Sequence, residues 1–160
     1  MFQSKEYILR HRGKKGPDRE EYLRQLVQEY SVTDNLESKQ QILANLGNFA
    51  YDPVNFVWLW NLKVVDLFLD AVTCEDPLLQ EFGMGGLSNI CLDPIHHEHI
   101  LSEPYHIRAI MECLFSDELK YTENTIINSM TLLMLLIDPI SQKDFFLIYL
   151  LPTSHFNSRA

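Results

Sequence analysis

Gln41-Ile42-Leu43-Ala44-Asn45-Leu46-Gly47-Asn48-Phe49-Ala50-Tyr51-Asp52-Pro53 decides the fold, because the chain says nearly the same thing again forty-one residues later. Leu46-Gly47-Asn48-Phe49 returns as Leu87-Ser88-Asn89-Ile90, and Asp52-Pro53 returns as Asp93-Pro94. A fainter third copy follows at a spacing of forty-five, with Leu132, Asp138-Pro139, and Met134 where the Asn stood. Self-similarity at a period of about 40 to 47 marks stacked helical units, each burying a face that it cannot bury alone. The expected fold is all-α, a short right-handed superhelix.

Bulk properties agree with one such unit. A chain of 160 residues makes one domain, able to bury roughly 70 % of its unfolded surface. With 46% apolar residues, low-complexity disorder is not its class. Cys74, Cys91 and Cys113 are odd in number and fall in apolar helical patterns, which predicts reduced, buried thiols and an intracellular setting. The sequence has no run of eighteen apolar residues and no signal-peptide core near its start, so neither a membrane nor secretion is expected. Residues 1–24 carry seven Lys or Arg against four Asp or Glu, and residues 25–160 six against eighteen, giving +3 and −12. An acidic body repels phosphate backbones, so RNA is expected to be reached through a partner, and the body to favour basic surfaces.

In order, residues 1–18 form a basic leader whose Gly13, Gly16 and Pro17 discourage helix; it reads as a solvated tail, or as an import or nucleic-acid contact. Tyr22, Leu23, Leu26, Val27 and Tyr30 recur at three and four and predict an amphipathic helix from Arg19 that lids the solenoid. Asp34 with Glu37 has the spacing of a capping box before the long founding helix. Each Asp-Pro pair predicts a helix start: Asp accepts hydrogen bonds from free N–H groups and Pro needs no donor in the first turn. The order short, medium, long then recurs, as 54–60, 64–71 and 77–92, and as 95–101, 106–115 and 121–137. The repeat domain spans 19–151 and a tail 152–160. Phe145-Phe146-Leu147-Ile148-Tyr149-Leu150-Leu151 opens a further unit that the chain does not complete. Either the chain end is an isoform or truncation end, or a partner covers that face.

Candidate chemistry is sparse. Gly83-Met84-Gly85-Gly86 lacks the preceding strand and following Lys of a phosphate loop. Three helical glycines cost roughly 2–3 kcal/mol relative to Ala, which close helix-on-helix approach offsets. His96-His97-Glu98-His99 lacks the further ligands a zinc site needs and reads as an exposed polar helix start. Phe49, Phe56, Trp58, Trp60 and Phe68 have no interleaved basic residue except Lys63 and read as core rather than base-stacking platforms, with partner anchors as the alternative for some of them. No nucleophile triad, paired catalytic carboxylates or cofactor fingerprint is recognisable, so no enzyme, cofactor, metal or small-molecule substrate is expected.

Gly85-Gly86-Leu87-Ser88-Asn89-Ile90-Cys91 resembles the third helix of an armadillo repeat, and three helices per unit is that family's pattern rather than the two of HEAT repeats. The likeness covers about residues 22–101. It implies that the third-helix Asn, here Asn48 and Asn89, faces a concave groove and hydrogen-bonds the backbone of an extended partner. Their stripe-mates at helical spacing are Gln41, Ala44 and Tyr51, and Phe82, Gly85 and Leu92. An amide both donates and accepts, so it reads a backbone without demanding sequence; the alternative is that each Asn bonds the adjoining helix and fixes stacking. Import receptors carry a Trp four residues before the Asn, where this chain has Ala44 and Gly85. The resemblance further implies a nuclear splicing adaptor, with the cytoplasm also open to it. It would pair with an RRM-containing RNA-binding motif protein among spliceosomal proteins of the minor spliceosome, near the capped 5′ end of a small nuclear RNA. The rival expectation is a transport or signalling receptor for basic or extended peptides.

Overall fold

The computed structural model describes residues 18–115 and 120–137. Within them lie α1 (Arg19–Val32), α2 (Leu36–Ala50), a 3-10 turn (Pro53–Asn55) running into α3 (Phe56–Asn61), α4 (Val64–Thr73), α5 (Pro77–Ile90), α6 (Pro94–Ser102), α7 (Pro104–Phe115) and α8 (Glu123–Leu136). The described residues contain no strand, and no described helix is long and apolar enough to cross a membrane. The fold is an all-α solenoid of the armadillo type. α2, α5 and α8 stack in one row; α4 and α7 form a second row behind α5 and α8, and α1 packs on α2 at the open end. Expectations for the basic leader, for Asp138-Pro139, for 145–151 and for the tail lie outside the described residues.

The helix boundaries come from a reciprocal capping device. Asp76 Oδ1 accepts from Leu79 N at 2.8 Å, Asp93 Oδ2 from His96 N at 3.4 Å, and Asp52 Oδ1 from Val54 N at 3.3 Å. Each therefore satisfies an N–H group that the start of the next helix leaves unpaired. A second side chain, three or four residues after the cap, turns back to the carbonyls at the end of the preceding helix. Asn55 Nδ2 donates to Phe49 O at 2.7 Å, Gln80 Nε2 to Cys74 O at 2.6 Å, His97 Nδ1 to Cys91 O at 3.3 Å and His106 Nδ1 to Ile100 O at 3.2 Å. All four span six residues. They explain why Asn55 and Gln80, both polar, are buried: each sets its amide against a carbonyl at the end of the preceding helix, beside the core.

One predicted cap moves. Asn35, not Asp34, precedes α2, its side chain accepting from Ser38 N at 2.8 Å while Thr33 Oγ1 accepts from Asn35 N at 3.2 Å. Glu37 then falls within the first turn without closing a capping box, and contributes through the helix dipole. Lys63, at φ 55, is the sole described non-glycine residue with positive φ; its left-handed turn ends α3 and redirects the chain into α4.

Leu46, Leu87 and Leu132, the equivalent leucines of the three copies, are all fully buried, with Leu23, Leu43, Leu59, Phe68, Met84, Ile90, Ile100, Ile107 and Ile110 around them. Close approach explains two of the glycines. A Cβ on Gly83 would stand 2.8 Å from Phe68 O, and one on Gly86 2.5 Å from the Phe68 ring. α4 is pressed against α5 so tightly that only hydrogen fits between them. The aromatics divide: Phe56 and Phe68 are core and Phe49 and Trp58 pack against it, whereas Trp60 remains partly in solvent. Cys91 and Cys113 are buried and Cys74 half-buried, all as free thiols.

Candidate functional site

The third-helix row displays the candidate stripe. α5 is enclosed by α2, α4 and α8, and its remaining face carries Phe82, Gly85 and Asn89, half-buried, with Leu92 just beyond its end, 66% exposed. On α2 the matching positions are Gln41 and Asn48, exposed, Ala44, half-buried, and Tyr51, 66% exposed at the helix end. Gln41 Nε2 donates to Asn45 Oδ1 at 3.4 Å.

The two asparagines are differently employed. Asn89 Nδ2 donates to Gly47 O at 3.0 Å. Gly47 lies in the last turn of α2, where Tyr51 N turns to Asn48 O and Phe49 O, so this carbonyl lacks its usual helical donor and the next repeat supplies one. Asn89 thus caps its neighbour through its amide nitrogen. Asn48, the adjacent residue, lies exposed. On the other flank of α5, Ser88 Oγ donates to Asn128 O at 3.0 Å, and a Cβ on Gly85 would meet Asn128 Nδ2 at 3.3 Å. At the opposite helix ends, Gln40 Nε2 donates to both Asp76 oxygens at 3.0 and 3.1 Å. Thr122 Oγ1 donates to Glu81 Oε2 at 2.6 Å, and Asn124 Nδ2 to Glu81 Oε1 at 2.9 Å. These polar clasps set the register of α2, α5 and α8; Asn128, Ser88 and Glu81 carried no sequence signal beyond their helical positions.

The stripe is uncharged. None of its eight residues is acidic or basic, although the whole chain carries a net charge of −9. An uncharged strip of amides and apolar rings can hydrogen-bond a peptide backbone and bury apolar side chains.

The histidine run departs from expectation: His96 points inward and is 1% exposed. Its Nδ1 lies 2.7 Å from Asp93 Oδ2, its ring meets Phe56 and Trp60 edge-on, and its buried Nε2 has no hydrogen-bond partner. Burial pushes its pKa below the ordinary value, with Asp93 opposing in part. His99 Nε2 lies 2.7 Å from Asp66 Oδ1 on α4. The spacing Asp93-x-x-His96 was the available clue, since it puts an imidazole at the cap carboxylate. Among the described residues no three His, Cys, Asp or Glu side chains converge as a metal site. Burial also raises the thiols, Cys91 to about 11, leaving it a poor nucleophile at neutral pH. A cleft of about 420 Å³ between α4 and α7, with Tyr105, Arg108, Glu112 and Lys120 on its walls, holds no such grouping either.

No family model matches the chain. Over 66 residues it is 50% identical to Armadillo repeat-containing protein 7 of Mus musculus, a stretch covering 41% of this chain and 33% of the mouse protein. That partial likeness, together with the stacked helices, supports an armadillo-repeat relative that binds other proteins.

Proposed function

We propose that the chain is a non-enzymatic adaptor whose third-helix stripe, Gln41, Ala44, Asn48, Tyr51, Phe82, Gly85, Asn89 and Leu92, holds a segment of an RRM-containing RNA-binding motif protein in the nucleus. In this reading the pair works in pre-mRNA splicing by the minor spliceosome, and the partner supplies the RNA contacts. The observation that carries the binding role is the uncharged strip across α2 and α5, with Gln41, Asn48, Tyr51 and Leu92 exposed and Ala44, Phe82, Gly85 and Asn89 half-buried between them. The splicing context rests on the resemblance to armadillo repeat-containing protein 7. Two amides contribute about 1 kcal/mol each, so Tyr51 and Leu92 act as the apolar anchors.

Affinity capture from nuclear extract with the intact chain tests this. Recovery of an RRM protein together with minor-class spliceosomal RNA is expected, with the RNA lost on removing that protein. Capture of neither removes the splicing assignment. The acidic body favours a second reading, a receptor for basic peptides; binding of short basic peptides by the isolated chain would select it.

A further inference from the structure

The offsets that align the copies of the founding stretch, forty-one residues from α2 to α5 and forty-five from α5 to α8, hold for the core as well as for the motif. Leu43, Met84 and Ser129 are buried alike, as are Leu46, Leu87 and Leu132, and Ala50, Cys91 and Leu136. With the register so fixed, three stripe positions gain a further member on α8. Gln41 and Phe82 are followed by Ile127, Ala44 and Gly85 by Met130, and Asn48 and Asn89 by Met134. These three stand 58%, 53% and 74% exposed, and from Ile127 to Ile137 the chain has no charged residue.

Met134 is released from the work that Asn89 does. Asn89 Nδ2 bonds Gly47 O across the joint between α2 and α5. At the next joint the equivalent carbonyl is Ser88 O, and it accepts from Cys91 Sγ at 3.3 Å. Ser88 Oγ and Glu81 hold α8 instead, through Asn128 O, Thr122 and Asn124. No stacking bond therefore calls for a polar side chain at 134, and a line of apolar side chains facing water is stabilised by whatever covers it. The line continues the strip on α5: a Cβ on Gly85 would stand 3.3 Å from Asn128 Nδ2, so a segment lying over Asn89 passes directly onto Met130 and Met134. From α2 to α8 is two interaxial steps of about 8–10 Å, which about six residues of extended chain span at roughly 3.3 Å each. We propose that Ile127, Met130 and Met134 are the side-chain-reading end of the stripe, a subsite for uncharged aliphatic or aromatic side chains of the same extended segment that the amides of α2 and α5 hold by its backbone. Unbranched thioethers repack around differing apolar groups, so the subsite selects hydrophobicity rather than one residue. The proposal rests on the stripe of the proposed function and is independent of the splicing context.

Random peptides of about ten residues, long enough for that span, displayed and selected on the full chain, test it. Selected peptides should carry aliphatic or aromatic residues clustered at one end. On binding they should shift the methyl NMR signals of Met130 and Met134, while that of Met84, buried in the core, stays in place. Met130→Ser/Met134→Ser should weaken them by at least about tenfold, with an unchanged Met84 signal as the mark of an intact fold. Binding that the double serine variant leaves alone but Tyr51→Ala/Leu92→Ala abolishes overturns the subsite and leaves the stripe on α2 and α5 standing. Indifference to both pairs removes stripe and subsite together. Sensitivity to the methionine pair alone puts the interface at the end of the solenoid, outside the stripe, and overturns the proposal too. So does selection of basic peptides without an apolar cluster, or of none at all. Met130 and Met134 signals that move on dilution of the free chain overturn it as well, because they indicate a second copy on this face.

Discussion

At the scale of single residues, the buried polar side chains are understood by the carbonyls they reach. Asn55 bonds Phe49 O at the end of α2 and accepts from Arg19 Nη1 at 3.4 Å. Asn55→Ala removes both bonds and leaves Phe49 O with the longer one from Asp52 N at 3.3 Å, and a destabilisation of about 1–3 kcal/mol for the two lost bonds is expected by urea denaturation. His96 gives a pH dependence with a definite sign. Its folded pKa lies below the ordinary 6.5 because burial disfavours the charged ring, so the unfolded chain takes up this proton first. Stability is therefore complete above about pH 6.5 and falls as pH drops through 6.5 toward the folded pKa, by at most about 1.4 kcal/mol per pH unit for one proton. Denaturation midpoints at pH 7.5 and 5.5 should separate less in His96→Gln than in the parent; equal separation would show that other groups control the slope.

Among the helices, the glycines of α5 yield opposite outcomes from the same substitution. Ala gains about 1 kcal/mol of helix propensity at each. At Gly86 the new methyl meets the Phe68 ring at 2.5 Å, and overpacking of that kind costs about 1–3 kcal/mol, so Gly86→Ala should lower the melting temperature. At Gly85 the nearest atom is the Asn128 amide at 3.3 Å, a side-chain end able to yield, and Gly85→Ala should fold at least as well as the parent while weakening capture of the partner. How much was legible beforehand follows the same division. Helix order, the Asp-Pro starts, the buried leucines and the tight packing of α5 could be read off spacing and residue type. The shift from Asp34 to Asn35 could not, because adjacent residues have nearly equal capping power and only the packing of α2 chooses between them. Nor could the six-residue back-bonds of Asn55, Gln80, His97 and His106, which depend on a turn geometry no periodicity encodes. On the candidate stripe, the different surroundings of Asn48 and Asn89 were not legible, because they depend on Gly47 O lying in the last turn of α2, where Tyr51 N turns elsewhere.

For the whole molecule, net charge and local chemistry point to different partners, and salt separates them. A body at −12 over residues 25–160 attracts basic segments over distances set by the Debye length, about 10 Å at 0.1 M salt, and such attraction weakens steeply as salt rises. The stripe from Gln41 to Leu92 has no charge of its own, so affinity built on it comes from buried apolar surface and backbone hydrogen bonds, which salt screens little. If the stripe holds the partner, the dissociation constant should change little between low and high salt. Tyr51→Ala with Leu92→Ala should then weaken binding by roughly 2–4 kcal/mol at both salt concentrations, because each removes an exposed ring or branched chain without touching the core. A dissociation constant that climbs steeply with salt and ignores this double substitution would move the interface to the acidic surface outside the stripe. Only the stripe requires α2 and α5 to stay in register, so Asn89→Ala, which frees Gly47 O, should weaken the partner further through α2, although Asn48 itself is left intact.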